Sequence, residues 1–336
     1  MIPVRFSTHD LAPRDQFAAW SSWFDTVFDV ASHEPDKGFL AESTVWTFGG
    51  FGLSHVKAPS LRASRSNALV RRNPVDHWVI TLGQHVTTGL GGGVSLNVPP
   101  RIPFVVSLGR EMVSQRAHDE RLQLYLPRDS FGDLAPVLDA MQGQALDKPL
   151  GKLLGDYIGL LQRNASELSQ ADLPRLTNAV RSMVLACIAP TVDHSIHATS
   201  LIDLSRREKA RQVIERHLRQ PSLGPATLCR EMGMSRTQLY RLLHDEGGVA
   251  RFIQRRRLLQ SYAELSDPLN RRSITVIAET LCFQDASSFS RAFRQEFGMT
   301  PRDVRAAWST GQALALPSDT DPDAEFTTLR QCLGRF

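Results

Sequence analysis

The chain has 336 residues, 42% hydrophobic and 22% charged, with 39 lysines and arginines against 35 aspartates and glutamates. That length predicts two domains. No apolar run approaches the 18 residues or so that cross a bilayer, which excludes a membrane span. The opening MIPVRFSTHD shows no basic stretch followed by an apolar one, so no secretory signal is read and a cytoplasmic location is expected. Cys187, Cys229, Cys282 and Cys332 form no Cys-x-x-Cys pair, which excludes zinc ribbons and dithiol redox motifs and leaves buried thiols as the expectation.

The charge is unevenly spread. Residues 206–309 carry 19 lysines and arginines against 11 acidic residues, whereas 1–205 carry 18 against 20 and the tail 2 against 4. A positive field confined to one segment is the footprint expected of a polyanion-binding domain, although a solvated basic face would have the same sum.

In chain order, Phe17, Trp20, Phe24, Val27 and Phe28 recur at helical spacing and predict a helix over 13–28. Short β-branched and aromatic runs follow at 43–48, 51–56, 77–82, 94–98, 104–108 and 122–126, punctuated by Gly49-Gly50 and Gly91-Gly92-Gly93. They predict an antiparallel sandwich or small barrel. The stretch 59–72 has no clear pattern. Two amphipathic helices are expected over 146–163, with Leu153, Leu154, Ile158 and Leu161 on one face, and over 172–188, with Leu173, Leu176, Val180 and Val184. They either cover the sheet or pair with a second subunit. The predicted division is an N-terminal domain over 1–190, a linker over 191–205, a helical domain over 206–308 and a loosely ordered tail over 309–336, rich in Asp, Pro, Thr and Ser.

The segment 225–242 has the parts of a helix-turn-helix. Pro225 suits a first helical position, Leu228 and Met232 face inward, and Gly233 allows a sharp turn. Ser235 with Gln238 three residues later forms a capping box, and Leu239 and Leu242 continue the buried face. Arg236, Thr237, Tyr240, Arg241 and His244 look outward, a set suited to phosphates and base edges. The same grammar recurs about fifty residues on: Ile274, Ile277, Ala278 and Leu281 support, Asp285 caps, Phe289 and Phe293 are buried, and Ala286, Ser287, Ser290, Arg291 and Arg294 face outward. A basic helix over 251–265 joins the two.

With these residues in place, the run from Ile274 to Pro301, including Phe297-Gly298 before Thr300-Pro301, resembles the signature of the AraC/XylS family of transcription regulators. The resemblance implies two recognition helices reading two successive major-groove segments of double-stranded DNA. It assigns base reading to Thr237, Tyr240 and Arg241, then to Ala286, Ser287, Ser290 and Arg291. Arg236, Arg255, Arg256 and Arg294 are the expected phosphate or solvent partners. Three departures stand out: Cys282 where the family usually has Gly, a short Gly247-Gly248-Val249-Ala250 loop, and Val304 where Tyr is common. Leu124-Tyr-Leu-Pro127-Arg128 is similar to an element of the family's cupin-like ligand-binding domains. The implied fold class is therefore α+β: an N-terminal cupin-like β-barrel with flanking helices and a C-terminal all-α double helix-turn-helix domain. A small-molecule effector, a homodimer joined through 146–190, RNA polymerase as partner and activation of transcription are implied in the same way. The alternative is that the first domain binds a protein or only dimerises.

Catalysis has no candidate. His77 and His85 stand on different predicted strands, His118-Asp119-Glu120 falls in a polar turn, His194 and His197 fall in the linker, and no His-x-His pair, phosphate loop or nucleophile elbow occurs. No cofactor and no metal are expected. If the barrel has a pocket, Trp46, His55, His77 and Trp78 are the residues expected to line it, with core packing the simpler role for each.

Overall fold

The computed structural model describes residues 2–24, 27–192, 198–267, 270–297, 299–309 and 328–334. The chain divides into one unit of Met1–His197 with Leu316–Phe336 and a second of Ala198–Ala315.

The first unit runs β1 (Val4–Ser7), α1 (Pro13–Phe24), β2 (Asp29–Ala31), β3 (Glu42–Thr47), β4 (Gly52–Ala58), β5 (Leu61–Arg65), α2 (Asn67–Arg72), β6 (Trp78–Gly83), β7 (Thr87–Gly91), β8 (Val94–Val98), β9 (Phe104–Ser107), β10 (Met112–Arg116) and β11 (Asp119–Leu126). It continues with α3 (Arg128–Phe131), α4 (Ala135–Ala140), α5 (Pro149–Asn164) and α6 (Leu173–Val192). Six strands pair in the order β1-β3-β4-β11-β6-β9 and five in the order β2-β5-β10-β7-β8, all antiparallel. The unassigned stretch 59–72 holds β5 and α2, the latter capped by Ser66, whose hydroxyl accepts from the Leu69 N–H.

Register decides what faces the interior. Val45, Ser54, Gln123, Thr81 and Phe104 align across the larger sheet on one face, shared by Val56, Val79, Tyr125 and Val106. Most of these join Leu61, Ala63, Leu96, Val98 and Met112 of the smaller sheet, with Trp20, Trp23 and Phe24 of α1, in one apolar cluster. The opposite face carries Trp46, Leu53, Leu124 and Ile80, and the helical layer covers it. Gly155 allows α5 close, since a Cβ there would stand 3.1 Å from Pro103 and 3.5 Å from Leu82.

The second unit is helical: α7 (Ala198–His217), α8 (Pro225–Met232), α9 (Arg236–Leu242), α10 (Val249–Ser266), α11 (Ile274–Thr280), α12 (Ala286–Phe297) and α13 (Pro301–Ser309). The expected linker over 191–205 is thus helical at both ends. Its Ser, Thr and Asp content has weak helix propensity, so its pattern does not announce a helix. His194 and His197 lie outside the described residues.

The tail also differs from expectation. Residues 310–327 lie outside the description, but Leu329–Leu333 forms a last helix, α14, in the core of the first unit. Thr328 and Gln331 form its capping box. Five residues are too few for a helical period to register in sequence.

Candidate nucleic-acid interface

In the first helix-turn-helix, Gly233 ends α8 at φ 64°, its N–H and that of Met234 both reaching the Cys229 carbonyl. Ser235 then accepts from the Gln238 N–H at 3.3 Å while the Gln238 amide oxygen accepts from the Ser235 N–H at 3.0 Å, completing the expected box. Leu239 and Leu242 are buried; Arg236, Thr237, Tyr240, Arg241 and His244 are exposed. Tyr240, 51% exposed, does not pack into the fold. With Arg241, His244, Gly247 and Gly248 it lines an open hollow of about 630 Å³.

The second repeats the geometry. Phe283 N–H bonds to the Ala278 carbonyl at 3.0 Å, the counterpart of Met234 to Cys229, and Cys282 takes the turn at φ 60°. The departure from glycine is therefore accommodated by strain rather than by a different turn. Asp285 caps α12, accepting from the Ser287 N–H at 2.9 Å and the Ser288 N–H at 2.7 Å. The Ser288 hydroxyl and backbone N–H, then Ser287, hold the Asp285 carboxyl below the usual carboxylate range. Ala286, Ser287, Arg291 and Arg294 are exposed, while Ser290 is half-buried and gives its hydroxyl to the Ala286 carbonyl at 2.8 Å. That bond commits the only side-chain donor of Ser290 to its own helix. The Thr300-Pro301 element has a plain job: Thr300 and Asp303 cap α13 reciprocally, with Pro301 at the first helical position.

The helix α10 fixes the two motifs in one unit. Toward the first, Arg257 donates to the carbonyls of Leu218 and Gln220, closing the end of α7, and Arg256 is hydrogen-bonded to Glu215. Toward the second, Arg255 donates to Glu296 at 3.0 Å, and Tyr262 lies against Phe293 and Phe297. The buried Glu264 accepts from Arg219 at 2.6 Å and pairs with Arg272 at 3.1 Å. Paired buried carboxylates of this kind are costly to leave alone. Arg256, expected at phosphate or solvent, is instead a structural ion pair, 16% exposed; Arg255 is tied as well. Sequence reading missed Ser273, whose hydroxyl accepts from Val276 and caps α11; the signal was a serine directly before the apolar run.

The first unit rearranges the expected pocket residues. Trp46, His55 and Trp78 share the sheet face that looks away from the interior cluster. Trp78 donates to Asp139 at 2.6 Å under the Arg128 guanidinium, 4.0 Å from the ring centroid, and His55 pairs with Glu120 at 2.5 Å. These three therefore do not line the interior; strand phase cannot be read from short runs alone. His77 does reach α14, its Nε2 lying 3.0 Å from the Leu333 carbonyl, and burial pushes its imidazole down in pKa. A crevice at Trp20, Phe24, Val56, Leu61 and Arg121 has about 10 Å³, room for roughly one water. Cys187 and Cys332 are buried, whereas Cys229 and Cys282 are half-buried.

Two capped helices with exposed polar faces, each following a tight turn and both braced by one connecting helix, have the geometry of a helix-turn-helix domain. A helix-turn-helix domain family matches residues 228–307. Over 317 residues, 89% of this chain and 91% of that protein, the chain is 24% identical to the transcriptional activator NphR of a Rhodococcus species. It is 34% identical to the regulatory protein SoxS of Salmonella typhimurium over 94 residues, 27% of this chain and 85% of SoxS. The crystal structure of the AraC-like transcriptional activator CuxR superposes with a TM-score of 0.55 at 32% identity, covering 78% of this chain and 96% of CuxR. The chain belongs to the AraC family of DNA-binding transcription regulators. No described helix is long and apolar enough to cross a membrane.

Proposed function

We propose that the chain is a cytoplasmic, small-molecule-responsive transcription activator that reads two successive major-groove segments, one with α9 and one with α12. The observation that carries this is the pair of capped helices presenting Arg241 and Arg291 to solvent from one unit braced by α10. Thr237, Tyr240, Arg241, Ala286, Ser287 and Arg291 face the bases, and Arg236 and Arg294 face phosphates. Ser290 contributes as an acceptor only. Activation is supported by the activator description that NphR and CuxR carry, and RNA polymerase is the partner assigned to it in this reading.

Residues 1–190, with α14 packed into their core, form the sensing and dimerising domain, a cupin-like barrel, and 206–308 the DNA-binding domain. Pairing through 146–190 is supported by Leu150, Leu153 and Leu160, 42–51% exposed at intervals of three and seven along α5, with Leu185 exposed on α6. A second reading, a protein-interaction module with no effector, is favoured by the dense core of the first unit and its 10 Å³ crevice. A metabolite library screened by thermal shift on the full chain separates the two: saturable stabilisation supports sensing, and none supports the interaction module. DNA reading is tested by Arg241→Ala and Arg291→Ala, each of which should relax sequence preference.

A further inference from the structure

The chain leaves the first unit, enters the second at Ala198 and is back in the first unit at α14. Leu329, Cys332 and Leu333 are 0–2% exposed there, in the cluster that includes Trp20, Trp23, Phe24 and Tyr125. His77 gives its Nε2 hydrogen to the Leu333 carbonyl at 3.0 Å. A five-residue helix is far below the length that is stable alone, so α14 is helical only while docked. What it contributes chemically is a compact apolar body with one carbonyl oxygen aimed at an imidazole.

We propose that α14 is the internal occupant of the effector site: an apolar small molecule carrying a carbonyl, carboxylate or sulfonate oxygen displaces Leu329, Cys332 and Leu333 and takes over the His77 hydrogen bond. This rests on the sensing reading above and names its ligand class. It also supplies the coupling. By chain connectivity the second unit is joined to the first at both of its ends, at His197–Ala198 and at Ala315–Leu316. Effector binding frees α14 from the core of the first unit, and that two-state element is the link between effector and DNA affinity.

The test follows the Cys332 thiol in the full-length chain carrying Cys187→Ala, Cys229→Ala and Cys282→Gly. With a thiol reagent, Cys332 should react at least tenfold faster than the core amides of the first unit exchange by global unfolding, with a shallow denaturant slope. Reaction only at the global unfolding rate overturns the proposal. In a second arm, Leu329→Ser with Leu333→Ser loosens α14 in the otherwise intact chain. This variant should bind one 8-anilinonaphthalene-1-sulfonate per chain at least tenfold more tightly than the parent. A variant that melts cooperatively yet binds the probe no better overturns it; if the variant does not fold, the thiol rate decides. A metabolite that stabilises the chain while Cys332 stays protected sinks this inference and leaves sensing intact. A probe site under α14, with no stabilising metabolite, sinks sensing and leaves the α14 site standing.

Discussion

Replacing Cys282 by glycine should stabilise the helical unit, an unusual outcome for a substitution that deletes a half-buried side chain. Cys282 sits at φ 60° in a turn whose hydrogen bonds repeat those around Gly233 at φ 64°. A left-handed backbone costs an L-residue roughly 1–2 kcal/mol. The extra freedom of glycine in the unfolded chain takes back about 0.5–1 kcal/mol. The net is a gain of about 0–1.5 kcal/mol for Cys282→Gly, less whatever the half-buried thiol contributes by packing. Gly233→Ala is the mirror experiment: a Cβ there meets nothing within 4 Å, so its cost of about 0.5–1 kcal/mol is conformational alone. Hydrogen exchange of peptides from 206–309 across a urea series isolates this unit from the other. Destabilisation by Cys282→Gly, or a costless Gly233→Ala, would refute the reasoning that the two turns are equivalent and that one is strained.

Other outcomes follow from the same geometry. Arg236→Ala, at the first position of α9, should weaken binding uniformly on all sequences and lower the salt slope by about 1, as a phosphate contact does. Glu264→Gln should destabilise the helical unit to urea, because Arg219 and Arg272 lose a shared buried carboxylate, without altering the preferred DNA sequence. The cap at Asp285 has a carboxyl pKa below its unfolded value, so its contribution is present above the ordinary carboxylate range and lost as pH falls through the lowered value. Exchange protection at the start of α12 should drop in that acid window, and Asp285→Asn should remove the dependence. His77 has the reverse charge and the same sign. Kept neutral by burial, and facing Asp76, Asp129 and Arg128, it penalises the native state as pH falls below its unfolded value near 6.5, about the ordinary imidazole pKa. Acid loss of first-unit stability from that point should vanish in His77→Gln.

The helical unit was the more legible half. Its caps, turns and buried faces are local: Ser235 with Gln238, Asp285 before Ser288, and Phe289 with Phe293 each act within a few residues. The first unit was legible where strands are apolar, as in β3, β4, β6, β8, β9 and β11. It was opaque at β7, where Thr87–Gly91 includes two glycines; a Cβ at Gly89 would lie 1.9 Å from the Val113 carbonyl, so β10 itself demands the residue that hides the strand. The misplacement of Trp46, His55 and Trp78 has a similar origin. Both faces of the larger sheet are covered, one by the second sheet and one by helices, so apolar residues occur in either phase and alternation does not mark the inside. The seven residues around α14 were hidden for another reason, since their helix exists through contacts with residues some 250–300 positions earlier.

The central claim is that α9 and α12 read separate stretches of one site. In-vitro selection of binding sites with the intact protein should return two conserved blocks about one helical turn apart per subunit. Repeated with Arg241→Ala it should lose information in one block alone, and with Arg291→Ala in the other alone. Loss from the same block in both, or from neither, would contradict the account.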